Sequence, residues 1–291
     1  MTIASEFPLP ELLESDAAPD VTVRRGRVPD ALPAAVREGV LFQAQPGSYL
    51  LRIPDTARYL VEQGCRVTIE IAPGADEGRV RLFFLGSVLT ALMHQRGRLV
   101  LHAAALAGAN GAVVLAGHSG HGKSTLLAAL AARGAHVLAD DAAVIDASDD
   151  ARGGEIVVQP GFPRTSLWRD ALALLGLDGG DWPRIREDLE KFGVPMHEVF
   201  AAAPTPLRHI CVLSLHNGDT VGRRQLRDAD VFETLRAHTR NLRVLEGVGM
   251  QGAHFRQAAR VAAQVPMTLL QRPHNRNSVA ELVAIVQELL D

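Results

Sequence analysis

The spacing of apolar positions changes along the chain. Residues 1–30 are rich in Pro, Asp, Glu and Arg, show weak periodicity, and read as a loosely organised lead-in. Residues 48–53 and 66–71 alternate or carry β-branched side chains, which predicts strands. Residues 80–94 predict a buried helix. Up to residue 96 the pattern is that of a small α/β or mainly β module, and it carries no chemical motif.

The pattern changes after Gly97. Residues 98–107 predict a strand, Asn110-Gly111 a hairpin turn, and residues 112–116 a second apolar strand. A glycine-rich loop follows, then an Ala/Leu-rich helix over 123–133 with Gly134 placed to end it. Short apolar runs at 136–139 and 142–145 flank Asp140-Asp141, and 155–159 predicts another strand. Helices are predicted at 166–175, 184–191, 229–239, 253–263 and 278–290. A hairpin is expected from 210–215 to 220–226 across Asn217-Gly218, and a late strand at 267–271. Strands alternating with helices, with some hairpins, predict an α/β fold whose mixed sheet is flanked by helices. The expected division is a small α/β module over 1–96 and a larger domain over 97–291.

Composition narrows the function. A chain of 291 residues buries a sizeable core, and 47% hydrophobic content is ordinary for a globular protein. The balance of 30 basic against 33 acidic residues argues against nucleic acid as the main partner. No apolar run reaches the ~20 residues that span a bilayer; the longest candidate, 82–93, is interrupted by Gly86, Ser87 and Thr90. Glu6, Glu11 and Glu14 open the chain without the basic segment of a signal peptide. These features predict no membrane partner and a cytoplasmic location. Cys65 and Cys211 lie far apart without metal-ligand spacing and are expected as free thiols. Lys123 and Lys191 are the chain's two lysines; the other 28 of its 30 basic residues are arginine (30 − 2 = 28). A position that keeps lysine in such a chain suggests a demand of its site.

Lys123 sits in such a site. Gly117-His118-Ser119-Gly120-His121-Gly122-Lys123-Ser124 matches G-x-x-x-x-G-K-[ST] in full, between an apolar strand and a helix. Gly117, Gly120 and Gly122 let the backbone wrap an anion. The loop N–H groups and the helix N-terminus then favour the phosphates of a nucleotide. Lys123 reaches the β- and γ-phosphates, Ser124 offers a hydroxyl to Mg²⁺, and Thr125 completes the binding stretch. His118 and His121 occupy variable positions and read as substituents near the phosphates, since no further residue has matching ligand spacing. The chain has no LSGGQ-type signature of a transporter ATPase and no NKxD-type guanine motif.

Three elements together resemble the HPr kinase/phosphorylase family and its kinase-only relatives. They are Leu101-His102-Ala103, the loop itself, and Leu138-Ala139-Asp140-Asp141. His102 lies 21 residues before Lys123, and Asp140 and Asp141 lie 17 and 18 after it. The resemblance covers about residues 98–146 and implies a P-loop kinase core over 97–291 that uses ATP and Mg²⁺. It implies that Asp141 takes the proton of a serine hydroxyl, that Asp140 supports the metal or the base, and that His102 orients the aspartate. The parent family forms hexamers, but the helical segments that build those contacts are not recognisable in this chain, so a homo-oligomer stays open.

One family element is missing. The parent family carries a glutamate-containing segment of the type E-I-R-G-L-G-I, where this chain reads Gln159-Pro160-Gly161-Phe162-Pro163-Arg164-Thr165-Ser166-Leu167-Trp168. That wording resembles the divergent kinases of lasso-peptide tailoring. It points to a peptide or small-protein serine as substrate rather than HPr. Arg164, Lys191 and Arg272 are the further candidates for contacts to the γ-phosphate or an acidic peptide terminus. Trp168 reads as core. His197, His209, His216, His238, His254 and His274 form no spacing that marks a site. A small-molecule kinase and a nucleotide-sensing protein without turnover are the competing readings.

Overall fold

The computed structural model of the protein describes residues 1–149, 151–177, 180–186 and 189–291. The chain forms two compact units, one of residues 1–100 with 240–256, the other of 101–239 with 257–291. The sequence put the division at 96/97. The fold puts it at Val100/Leu101 and returns residues 240–256 to the first unit.

Among the described residues, the first unit holds a seven-stranded sheet. The first 30 residues are not a loose lead-in. Ile3–Ser5 and Val21–Arg25 are strands, paired parallel to each other, and the second runs parallel to Arg66–Ile71. Antiparallel pairing then leads through Ala57–Glu62, Ser48–Ile53 and Phe42–Gln45 to Arg37–Glu38. Ala57, Tyr59 and Val61 alternate inward along their strand, as a half-buried sheet requires. The expected helix over 80–94 is found as Glu77–Phe83 and Leu89–Gln95 joined by a wider π turn at Phe84–Val88.

His94 on that helix is fully buried, and one ring nitrogen lies 2.8 Å from the Arg240 carbonyl. Burial pulls its imidazole down to about 4. An unfolded imidazole protonates near ~6.5. The unfolded chain therefore binds the extra proton between these values, and the folded state is favoured above them. Stability from this site is complete above about pH 6.5 and falls as pH drops toward 4, by up to about 3 kcal/mol. Urea unfolding across that window checks the prediction; a His94→Gln variant that loses stability on acidification as steeply as the parent would count against it.

The second unit is built on a mixed sheet. Ala103–Gly108 and Gly111–Gly117 form the expected hairpin; Gly108 pairs with Gly111, whose φ is 121°, so the turn residues are Ala109 and Asn110 rather than Asn110-Gly111. Gly111–Gly117 runs parallel to Thr205–His216, which runs parallel to Met267–Pro273. His136–Ala139 pairs antiparallel to Ala103–Gly108 on its other edge. Leu126, Leu127 and Leu130 of helix Lys123–Ala131 pack with Leu282, Val286 and Leu290 of helix Val279–Leu290. Sheet residues Leu106, Val113, Leu115 and Leu270 complete that core. The mixed α/β architecture expected from the sequence is thus the one observed.

Several local expectations fail. The strand over 98–107 is two strands, Leu99–Leu101 and Ala103–Gly108, broken at His102, whose N–H donates to the His238 carbonyl at 2.8 Å. The hairpin across Asn217-Gly218 does not form. Gly222–Gln225 pairs with Met267–Pro273, which lies between it and Thr205–His216. The helix over 166–175 begins only at Arg169, because Arg164–Trp168 is a strand paired antiparallel with Lys191–Pro195. The helix expected over 184–191 is not there among the described residues: Lys191 opens that strand, and residues 187 and 188 lie outside the described ones. Helix Leu242–Gly247 carried no sequence expectation.

Candidate functional site

The pairing register explains why distant residues meet. Ala103 is opposite Ala116, and Ala105 is opposite Ala139. The start of one strand and the ends of its two neighbours therefore share one edge of the sheet. His102, the loop after Gly117, and Asp140-Asp141 all fall on that edge, beyond the carboxyl end of the central parallel strand, where α/β sheets hold ligands.

The loop has the backbone its glycines permit. Gly117, Gly120 and Gly122 have φ values of 149°, 81° and 92°. A Cβ on Gly117 would lie 2.8 Å from the Leu213 carbonyl oxygen, so the loop hugs its neighbouring strand. Lys123 is 7% exposed. Its ammonium donates to the Gly117 carbonyl at 2.8 Å and the His118 carbonyl at 3.0 Å, and lies 3.2 Å from His102 Nε2.

His102 bridges that lysine to the acidic pair. Its Nδ1 is 3.1 Å from the Asp141 carbonyl oxygen and 3.3 Å from Asp141 Oδ1. An ammonium only donates, so Nε2 accepts and the ring proton sits on Nδ1, facing Asp141. Asp141 itself has a φ of 70°, left-handed backbone that aspartate tolerates better than most residues. Asp140 accepts four hydrogen bonds. Its Oδ1 accepts from Ser124 Oγ at 2.9 Å and the Asp141 N–H at 3.0 Å, and its Oδ2 from Thr165 Oγ1 at 2.7 Å and the Ser166 N–H at 3.0 Å. The carboxylate thereby ties the loop helix to the Arg164–Trp168 strand.

Ser124 and Asp140 are hard oxygen donors of the kind Mg²⁺ selects. Among the described residues no three His, Cys, Asp or Glu side chains form a metal cage. A Mg²⁺ held here would take its remaining ligands from phosphate and water, as that ion commonly does.

These residues line one cavity of about 940 Å³. His102, Lys123, Ser124, Asp140 and Asp141 stand on its wall, as do Ser119, Gly120, His121, Gly122 and Thr125. Lys191 and Arg272 line it as well. Arg164 is not among the lining residues; its guanidinium lies 5.5 Å from the Phe162 ring. Trp168 is not core. It is 43% exposed, lines the cavity, and carries the Lys191 ammonium 5.9 Å from its ring centre. Arg272 donates through Nε to the His121 carbonyl at 3.0 Å, and burial lowers its pKa from the ordinary value.

Sequence reasoning missed His238, Thr165 and Ser166. The His238 ring lies 5.1 Å from that of His118, and burial first, then the positive field of His118 and Lys123, brings its imidazole down to about 4. No spacing rule marks these residues, because each reaches the site through tertiary pairing. Cys65 and Cys211 are free thiols, as expected, and burial pushes the Cys211 thiol up to about 12. Among the described residues no helix is long and apolar enough to cross a membrane.

No family model matches the chain. No curated protein matches it. Among solved structures, the HPr(Ser) kinase/phosphatase from Coxiella burnetii is similar at 12% identity over 66% of this chain and 93% of that one, with a TM-score of 0.33.

Proposed function

We propose that this chain is an ATP-dependent kinase that phosphorylates a serine of a peptide or small protein. What supports the reading is one arrangement: the Asp141 carboxylate, His102 and the Lys123 ammonium in a row at the phosphate loop. The loop would bind the triphosphate, with Lys123 moving from its loop carbonyls to the β- and γ-oxygens. Mg²⁺, held by Ser124 and Asp140, would supply neutralisation of phosphate charge. Asp141 would take the serine proton as the serine oxygen bonds to the γ-phosphorus and the bond to the bridging oxygen breaks, releasing ADP. The His102 proton on Nδ1 would hold the aspartate in place.

The acceptor proposed is the C-terminal serine of a lasso-type precursor peptide. Its support is the resemblance of the Phe162-Pro163-Arg164 to Leu167-Trp168 stretch, together with Trp168 and Lys191 on the cavity wall. Mass spectrometry after incubation with Mg-ATP tests it. The reading expects one added phosphoryl group on a serine-ended peptide and none when that serine is alanine. Phosphorylation of HPr or of metabolites alone would overturn the peptide assignment; nucleotide binding with no transfer to any acceptor would overturn the kinase.

A further inference from the structure

The phosphate motif does not specify His118 and His121, and it says nothing of Arg272. The structure gives two of these three a definite task. Arg272 donates Nε–H to the His121 carbonyl at 3.0 Å and Nη2–H to the Gly120 carbonyl at 3.4 Å. The His121 ring rests on the neighbouring strand, with Nδ1 2.9 Å from the Leu213 carbonyl oxygen, which accepts its hydrogen bond. Both anchors stand on the strands beside the loop. Leu213 is in register with Gly117, and Arg272 with Leu215.

In a trans peptide unit the C=O and N–H point to opposite sides. Turning the His121 carbonyl onto Arg272 therefore turns the Gly122 N–H the other way, as a donor for a phosphate, while the His121 N–H closes the loop on the His118 carbonyl at 3.2 Å. The guanidinium grips the carbonyl side of the loop, while the anion belongs on the N–H side. A flexible glycine loop that is held this way gives up less conformational freedom when the ligand arrives.

We infer that Arg272 and His121 form an external clamp that holds the phosphate loop in its anion-binding shape before the nucleotide binds, so that Arg272 is a positioning residue rather than a phosphate ligand. This rests on reading residues 117–125 as a nucleotide phosphate loop. The planar fork spans two carbonyls, which a lysine at the same place would not.

The test uses the full chain and two probes, Mg-ADP and a non-hydrolysable Mg-ATP analogue, measured by calorimetry on Arg272→Gln and His121→Ala. Losing bonds from a charged donor weakens binding by about ten- to a hundredfold. That loss is expected in Arg272→Gln for both nucleotides equally, with a smaller equal loss in His121→Ala. Hydrogen exchange of the loop amides should be faster in both variants without nucleotide, at unchanged exchange of the sheet. If the ATP analogue is weakened much more than ADP, Arg272 contacts the γ-phosphate and the clamp is wrong. Unchanged affinity or unchanged loop exchange in both variants also overturns it. His121→Ala decides the matter if Arg272→Gln fails to fold. ADP has no phosphoryl group to transfer in this reaction, so this result is separate from whether the chain is a kinase. Binding of neither nucleotide to the parent protein would overturn both readings.

Discussion

Replacing Asp141 with asparagine is expected to lower phosphoryl transfer by about 10²–10⁴ and to leave Mg-ATP binding in place. The substitution is chosen for its backbone. Asp141 has a φ of 70°, and asparagine is the residue that best shares aspartate's tolerance of that region. Alanine there would add strain and confuse the result. The amide keeps an oxygen that can meet the His102 Nδ1 proton, now 3.3 Å from Oδ1, but it has no basicity to accept the serine proton. On the proposed reading, binding would draw on other groups: the loop N–H donors, Lys123 and Ser124. A single-turnover assay beside a binding titration separates the two. Transfer that survives in Asp141→Asn at near-parent rate would remove Asp141 as the base.

Asp140 carries a different load, and its loss should be felt in stability as well as rate. Its two oxygens accept from Ser124, Thr165 and two backbone N–H groups. Asp140→Ala leaves four donors without their acceptor at a partly buried place. Water reaches some of them, so the expected destabilisation is about 1–3 kcal/mol rather than the sum of four bonds. The Arg164–Trp168 strand should loosen from the loop helix, and transfer should be lost even with saturating Mg²⁺. Thr165→Val removes one donor together with its need, and should cost much less. Chemical unfolding of the two variants decides this; equal stability of Asp140→Ala and the parent would mean that these bonds do not hold the strand.

The legible part of the site was the part whose geometry is local. The loop, its strand and its helix form one contiguous stretch, so the motif brought its context with it. Asp140, Asp141 and His102 came from the resemblance to a family with that spacing, and the register Ala103 to Ala116 and Ala105 to Ala139 shows how residues so spaced meet at one end of the sheet. What failed depended on partners remote in sequence. Val21–Arg25 has its strand partner at Arg66–Ile71, so its weak local pattern read as lead-in. Asn217-Gly218 is a sound turn signal, but Met267–Pro273 takes the place its hairpin would have filled. The apolar run from Ser166 reads as helix throughout, yet its first residues are held as strand by Lys191–Pro195 and by the Ser166 N–H on Asp140. Trp168 was read as core, though it lines the cavity beside Lys191.

A crystal structure with Mg²⁺ and a non-hydrolysable ATP analogue would show whether the loop from Gly117 to Thr125 holds nucleotide phosphates with Asp141 beside them. The expected result has the β-phosphate inside the loop, the Lys123 ammonium moved from the Gly117 and His118 carbonyls to phosphate oxygens, and the Asp141 carboxylate facing the γ-phosphate. A nucleotide bound elsewhere, or a Lys123 still seated on its two carbonyls with the loop vacant, would contradict it.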